Sequence, residues 1–174
     1  TGLVWHELLM WHDTHALAGF MQSGRGVIEP DEPSESAAGK RRIKNLLDVA
    51  GLTEQLALIK PRPASEAELQ RVHTADYIAA LKAMSAGNGG DAALGDPVGV
   101  TPFGPGGYDI AALAAGGLFE AVDAIITGRG ANAYALVPPP GPHAEAGRGL
   151  GPFSYTPLRA HETGLDLVCR LLLE

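Results

Sequence analysis

A long apolar helix that leads directly into a short apolar strand constrains the fold of this chain more than any other feature of its sequence. Apolar residues recur on a broad stripe over residues 108–127, and Gly128 ends this helical periodicity. The run over residues 133–137 has no polar alternation, which is typical of a strand buried on both faces. This order predicts an α/β fold with a mostly parallel sheet flanked by helices.

Two adjacent glycines interrupt the long helix. Gly116 and Gly117 lie within the apolar stripe, where each glycine costs about 1 kcal/mol relative to alanine. Such a cost is usually offset by a packing or functional gain. We therefore expect another backbone segment to approach the helix closely at this pair.

Shorter elements are predicted in the first third of the chain. Residues 3–5 form an apolar run typical of a strand, and residues 40–50 place their apolar side chains on one helical face before Gly51. Residues 56–59 are predicted to form a second strand, because the prolines that follow favour extended backbone.

Helix starts and loops can also be located from the sequence. Ser65 and Glu68 have the spacing of a capping box, which predicts a short helix through residue 72, and Thr74 can cap the helix that follows. Residues 20–39 and 95–107 are rich in glycine and proline or lack periodicity, which predicts loops.

Composition excludes several classes of function. The 174 residues suit one domain, and 13 basic against 20 acidic residues give a net charge of −7, which disfavours nucleic acid as a partner. No apolar run is long enough to cross a membrane, and the first residues lack the basic region of a signal peptide. Cys169 is the only cysteine, so we expect no intrachain disulfide and a cytoplasmic location.

The loop after the apolar strand is the first place to look for chemistry. Residues 138–142 contain four prolines and one glycine, and His143 follows them. In parallel sheets, ligands bind at the loops that leave the carboxyl ends of strands. His143 would act there as a general base near neutral pH. A loop histidine without a chemical role is the alternative that these residues leave open.

A second group of histidines lies near the start of the chain. His12 and His15, with His6 nearby, have a spacing that would let imidazoles share one metal ion. Zinc requires three or four such ligands. A polar loop between apolar patches is the alternative interpretation.

Ser154 raises the alternative of an esterase that needs no metal. Ser154, His143 and Asp166 would serve as nucleophile, base and orienting acid, because catalytic triads are recognised by geometry and not by chain order. The flanking residues do not form a complete Gly-x-Ser-x-Gly elbow.

Three motifs resemble one enzyme family. The stretch from Tyr134 through Pro-Pro-Gly-Pro-His143-Ala to Gly151 is similar to the signature around the paired catalytic histidines of the histone deacetylase and acetylpolyamine amidohydrolase family. Two upstream motifs, Leu-x-x-Val-His-Thr-x-x-Tyr from Leu69 and Gly-Tyr-Asp-Ile-Ala from Gly107, resemble the early helical segments of that family. The resemblance covers about residues 3–151 and is greatest to the bacterial amidohydrolase-like branch.

The resemblance implies a fold, a reaction and a set of site residues. Residues 1–151 would be the amino-terminal portion of an arginase/deacetylase-like domain, and residues 152–174 a divergent tail that forms a helix. The family cleaves the amide or acyl bond of small acylated substrates such as acetyl-lysine and acetylpolyamine with the help of zinc. By resemblance, His143 is the general base, and Gly141, Gly151 and Pro152 lie along the substrate channel.

The sequence departs from the family pattern at the positions that carry the chemistry. Pro142 occupies the place of the first catalytic histidine, and a proline ring neither accepts nor donates a proton. Pro138 replaces the usual arginine, and Pro152 replaces a channel phenylalanine. The Asp-x-His element that binds zinc in the family is missing, so no zinc ligand set is predicted in this chain.

Three interpretations of function follow. The first is a deacetylase or amidohydrolase that is truncated and impaired, as a fragment or a product of a shifted reading frame after about Gly151. The second is a non-catalytic module that associates with itself as a homo-oligomer, because an incomplete parallel sheet has open edges. The third is the metal-independent esterase that uses Ser154.

Overall fold

The computed structural model describes residues 1–14, 17–18, 21–22, 36–95, 101–137 and 144–149. The described strands are β1 (Gly2–Val4), β2 (Leu17–Ala18), β3 (Met21–Gln22), β4 (Ala57–Ile59), β5 (Gly90–Asp91), β6 (Pro102–Phe103) and β7 (Ala133–Ala135). The described α-helices are α1 (Ala37–Val49), α2 (Glu66–Leu69), α3 (Ala75–Ala86) and α4 (Gly107–Ile126), and 3₁₀ turns lie at Glu7–Trp11 and Thr53–Gln55.

The main sheet is parallel, as the sequence predicts. Its order is β4-β1-β7, and β1 is parallel to both neighbours. The carboxyl ends of all three strands therefore lie at one edge of the sheet. Two antiparallel pairs, β2 with β3 and β5 with β6, stand apart from it.

The glycine pair in α4 allows the close backbone approach that the sequence predicts. A Cβ at Gly116 would overlap the carbonyl oxygen of Arg62, and a Cβ at Gly117 would lie 2.8 Å from Cγ1 of Val4. The backbone N–H of Ala64 donates to the carbonyl oxygen of Ala112 at 2.9 Å. The segment after β4 thus packs backbone to backbone on α4, which in turn covers the Val4 face of the sheet.

Both predicted helix caps are present. The backbone N–H of Ser65 donates to Oε2 of Glu68 at 2.7 Å, and the N–H of Glu68 donates to Oγ of Ser65 at 3.3 Å. Oγ1 of Thr74 accepts from the N–H of Tyr77 at 3.3 Å and starts α3. These local hydrogen bonds explain why the helices start where the sequence predicts.

Several predicted boundaries are wrong. Helix α1 begins at Ala37 after the N-cap Ser36, so residues 37–39 belong to a helix and not to the predicted loop. Within the predicted loop 95–107, Phe103 is fully buried in β6, because pairing with β5 places its ring in the core. The tail helix predicted within residues 152–174 lies outside the described residues.

Two apolar clusters form the described core. The larger lies among α3, α4 and the β5–β6 pair, and includes Tyr77, Leu81 and Phe103. The smaller joins the first 3₁₀ turn to the amino-terminal half of α4 through Leu9 and Ile110. Among the described helices, none combines the length and the apolar character needed to cross a membrane.

Candidate functional site

The carboxyl edge of the parallel sheet is covered by the first 3₁₀ turn and the start of α4. Leu9 and Met10 of that turn pack with Ile110 and neighbouring residues of α4, and Val137 packs against this cluster. The N–H of Leu136 donates to the carbonyl oxygen of Val4 at 3.0 Å. The chain that leaves β7 is therefore held at the sheet edge, where parallel sheets usually bind ligands.

The chain is held again on the far side of the loop. Ala144 is buried, and the carbonyl oxygen of Ala146 accepts from the N–H of Thr74 at 2.9 Å. The N–H of Gly149 donates to the carbonyl oxygen of Ala92 at 2.8 Å. Residues 138–143 thus connect two anchored segments, one at the sheet edge and one at the start of α3.

The motif around His73 contributes to this second anchor. His73 and Tyr77 are both buried, and their ring centroids are 5.3 Å apart. Burial raises the pKa of the Tyr77 hydroxyl above its ordinary value, so this group stays protonated at neutral pH. Because the N–H of Thr74 binds Ala146, the buried motif positions the chain that follows the loop.

Asp91 organises a second loop beside that anchor, and the sequence analysis does not single it out. Its Oδ1 accepts from the N–H of Ala93 at 2.9 Å and from the N–H of Thr101 at 2.8 Å. A Cβ on Gly149 would lie 3.1 Å from Cγ2 of Thr101. An aspartate at the start of a glycine-rich loop is a known turn signal, and it would have located the turn at Asp91.

Comparison with known proteins identifies the family to which this frame belongs. The sequence pattern of the histone deacetylase domain family matches residues 33–156, which include both anchored segments and the loop between them. The chain belongs to the histone deacetylase family. The resemblance inferred from the three motifs is confirmed.

The similar proteins include a bacterial amidohydrolase and a human deacetylase. The chain is 41% identical over 154 residues to the histone deacetylase-like amidohydrolase of Pseudomonas aeruginosa. The aligned region covers 87% of this chain and 39% of that protein. The chain is 30% identical over 151 residues to the human polyamine deacetylase HDAC10, covering 83% of this chain and 20% of that protein. The chain thus spans about two fifths of its bacterial relative and less of the human one.

A solved structure confirms the fold. The crystal structure of the HDA15 HD domain matches 98% of this chain with a TM-score of 0.74, at 24% identity, and this chain covers 43% of it. The predicted deacetylase-like α/β fold, a mostly parallel sheet flanked by helices, is therefore confirmed.

The predicted site residues of this deacetylase-family chain lie outside the described part of the structure. His143, Gly141, Gly151, Pro152 and Ser154 all belong to residues for which no placement is described. Asp166 of the alternative triad and His15 of the alternative metal site are also among them. Their roles stay predictions. Of this region, the structure describes only the two anchored segments on either side of the loop.

His6 and His12, the other two histidines of the alternative metal site, have different surroundings. Nδ1 of His6 accepts from the N–H of Leu8 at 3.1 Å and so caps the first 3₁₀ turn. His12 is half-buried as a whole, but both of its ring nitrogens are buried and have no hydrogen-bond partner among the described residues. Burial lowers the pKa of His12 to about 4, with Asp13 opposing and Lys40 adding to the shift, so His12 is neutral at neutral pH.

The described residues do not fit a zinc site. A neutral imidazole such as that of His12 is a suitable donor, but zinc needs three or four donors. No group of three histidine, cysteine, aspartate or glutamate side chains comes together within the described ranges. The family is generally zinc-dependent, so a ligand set would have to come from residues beyond the described part of this chain.

Proposed function

We propose that the chain is the amino-terminal portion of a hydrolase that cleaves the amide or acyl bond of a small acylated substrate such as acetyl-lysine or an acetylpolyamine. The observation that carries this proposal is the family match across residues 33–156, which spans the loop with His143. The named relatives, a histone deacetylase-like amidohydrolase and a polyamine deacetylase, support this substrate class. The proposal places the protein in the cytoplasm.

In this proposal His143 is the general base. Its imidazole accepts a proton from water as the water oxygen attacks the acyl carbon, and a proton then passes to the leaving amine. The two anchors support this role, because they hold the ends of the loop between the sheet edge and α3. Gly141, Gly151 and Pro152 line the channel that admits the acyl group.

The same proposal predicts that catalysis by the chain alone is impaired. Pro142 removes one of the two histidines expected from the family pattern, and the described residues supply no set of metal donors. We therefore expect no hydrolysis by the chain alone.

Two measurements test the proposal. The purified chain should hydrolyse an acetyl-lysine peptide and acetylspermidine no faster than buffer, with or without added zinc. Zinc-dependent turnover by the chain alone would show that the prediction of an impaired enzyme is wrong. The coding DNA from codon 138 to codon 174, read in all frames, should reveal an Asp-x-His element, and its absence from every frame would count against a shifted reading frame.

The alternative of a self-associating module has one supporting observation. Large apolar side chains are exposed on α1 and on the sheet, among them Leu46, Val49 and Leu58. Surfaces of this kind often mark protein contacts. Light scattering of the purified chain tests it, and a monomer with a cooperative melt would rule it out.

A further inference from the structure

We propose that Asn88, which precedes Gly89, is a site of spontaneous conversion to aspartate and isoaspartate, and that the isoaspartate form loosens the anchored segment at Gly149. Asn88 is the only asparagine of the chain that a glycine follows. It is exposed in the turn that joins α3 to β5, so water reaches its side chain. The inference concerns the stability of the chain and does not depend on the proposed hydrolysis.

The reaction needs no enzyme and no reactant other than water. The backbone nitrogen of Gly89 attacks Cγ of Asn88 and forms the N–Cγ bond of a cyclic imide. The Cγ–Nδ2 bond breaks, and Nδ2 leaves as ammonia with the proton that the Gly89 nitrogen gives up. Water then opens the ring at Cγ to give aspartate, or at the main-chain carbonyl carbon of residue 88 to give isoaspartate. In isoaspartate the main chain contains one additional carbon atom.

The glycine makes Asn88 more reactive than the other two asparagines of the chain. A side chain on the following residue would crowd the attacking nitrogen, and Gly89 has none. Asn45 is followed by leucine, and Asn132 is followed by alanine. Asn45 also lies within α1, where helical hydrogen bonds hold the backbone. We therefore expect Asn88 to be converted first.

One hydrogen bond of the turn restrains the reaction in the folded chain. The N–H of Gly89 donates to the carbonyl oxygen of Met84, near the end of α3, at 3.0 Å. The Gly89 nitrogen must leave this acceptor before it can attack the side chain. Exposed turns open locally more often than the whole chain unfolds. The folded chain should therefore react through local opening of the turn, and more slowly than an unfolded peptide.

The chain after the turn has no room for an additional main-chain carbon. A Cβ at Gly89 would overlap the carbonyl oxygen of Phe103, and a Cβ at Gly90 would overlap Sδ of Met84. Gly90 also pairs with Phe103 in the β5–β6 pair, and Phe103 is fully buried in the core. The additional carbon must therefore displace β5 relative to β6 or to the end of α3.

Hydrogen bonds connect β5 to the candidate site. The N–H of Ala92, directly after β5, donates to the carbonyl oxygen of Thr101 at 2.9 Å. The carbonyl oxygen of Ala92 accepts from the N–H of Gly149 at 2.8 Å. Asp91 of β5 binds the N–H of Thr101 at 2.8 Å. Displacement of β5 should therefore weaken the contact that holds Gly149.

Mass spectrometry of the full 174-residue chain tests the conversion. Trypsin separates the three asparagines into different peptides, because Arg71 and Arg129 lie between them. After incubation at mildly alkaline pH, the peptide with Asn88 should be converted about ten-fold or more faster than the peptides with Asn45 and Asn132. A synthetic peptide of residues 84–93 should react faster still. Methylation by an isoaspartyl methyltransferase identifies the isoaspartate fraction.

Two variants separate the modification from its consequence. Asn88→Ser cannot form the imide, and Asn88→Asp has the negative charge of the product with an ordinary main chain. Amide hydrogen exchange at Ala92 and Gly149 should be about ten-fold or more faster in the isoaspartate fraction than in the fresh parent chain. Incubated Asn88→Ser and fresh Asn88→Asp should exchange like the fresh parent chain.

Two sets of outcomes would overturn the proposal. Conversion of Asn88 that is no faster than that of Asn45 and Asn132 would reject the modification site. Isoaspartate formation that leaves exchange at Ala92 and Gly149 unchanged would reject the loosened anchor. Equally fast exchange in fresh Asn88→Asp would also reject it, because the charge and not the additional carbon would then be the cause.

Discussion

The two sides of the sheet differ in how completely they are packed. Helix α4 covers the Val4 face, and twelve of its residues are buried. Helix α1 has no fully buried residue, and Tyr134 on the face opposite to α4 is 56% exposed. The α4 side therefore has an extensive core, whereas the opposite face buries Leu3 but leaves Tyr134 and the apolar side chains of α1 exposed. The difference indicates that the described residues pack completely on one side of the sheet and leave apolar surface open on the other.

The largest expected effect comes from truncating the core of the α4 side. Leu81 is fully buried in the larger cluster, so Leu81→Ala should lower the free energy of unfolding by about 3 kcal/mol. Leu46→Ala on α1 is the matched change, and it should alter that free energy by less than about 0.5 kcal/mol because Leu46 is largely exposed. Urea unfolding measures both, and equal losses would contradict the difference between the two sides.

Glycines in the two helices provide a second comparison. Gly116→Ala should lower the free energy of unfolding by about 2 kcal/mol, because the added Cβ overlaps the carbonyl oxygen of Arg62. Gly39→Ala in α1 should raise it by roughly 0.5–1 kcal/mol, since its Cβ would meet no atom within 4 Å and alanine favours the helix. Thermal melts of the two variants should therefore shift in opposite directions.

The contribution of His12 to the free energy of unfolding should decrease as pH falls. The ring is neutral in the folded chain, with a pKa of about 4, while in the unfolded chain it takes up a proton near the ordinary histidine pKa of 6.5. Stability from this group is present above pH 6.5 and is lost as pH falls toward 4. Between pH 7 and pH 5 the loss should be about 1.5 kcal/mol, a value reduced for partial exposure.

The His12→Phe variant isolates this contribution. Asp13 favours the charged ring and Lys40 opposes it, and both remain in the variant. Urea unfolding at pH 7 and pH 5 should show a smaller loss for His12→Phe than for the parent chain. An unchanged loss would mean that His12 is protonated equally in the folded and unfolded chains.

The smallest expected effects concern ion pairs. Arg62 binds Glu68 through two hydrogen bonds of 2.6 and 2.9 Å and binds Glu120 of α4 at 2.9 Å, and Arg62 lowers the pKa of Glu68 to about 2. Glu68→Gln should cost about 1 kcal/mol, a value reduced because Arg62 is 42% exposed.

The matched change on the open side is Glu7→Gln, which removes the exposed pair of Glu7 with Arg41 of α1. Exposed pairs of this kind contribute little, so the loss should be under about 0.5 kcal/mol. A larger loss for Glu7→Gln than for Glu68→Gln would show that α1 is held more firmly than its exposure indicates.

Local features of the fold could be predicted from the sequence because their causes are local. The capping box at Ser65 and the cap at Thr74 depend on side chains within three residues of the helix start. The close approach at Gly116 could be predicted because a glycine pair in an apolar helix requires an explanation. The burial of His12 and the anchor from Ala146 to Thr74 could not be predicted, since both depend on residues far apart in the chain.

The candidate site was predicted only in part. The position of the loop after β7 followed from the order of helix and strand, and the family followed from motifs around His143, Leu69 and Gly107. The role of Asp91 was missed, because Asp91 precedes the predicted loop of residues 95–107 and belongs to none of the motifs. The roles of His143 and Ser154 stay predictions.

The sequence by itself determined the class of fold, the family and the edge of the sheet at which to look for chemistry. These properties depend on periodicity and on motifs, which are written in consecutive residues. Only the tertiary structure decided which apolar face is covered. The periodicity of α1 predicts a buried face, but burial requires an opposing surface, and the described part of this chain buries twelve residues of α4 and no residue of α1 completely.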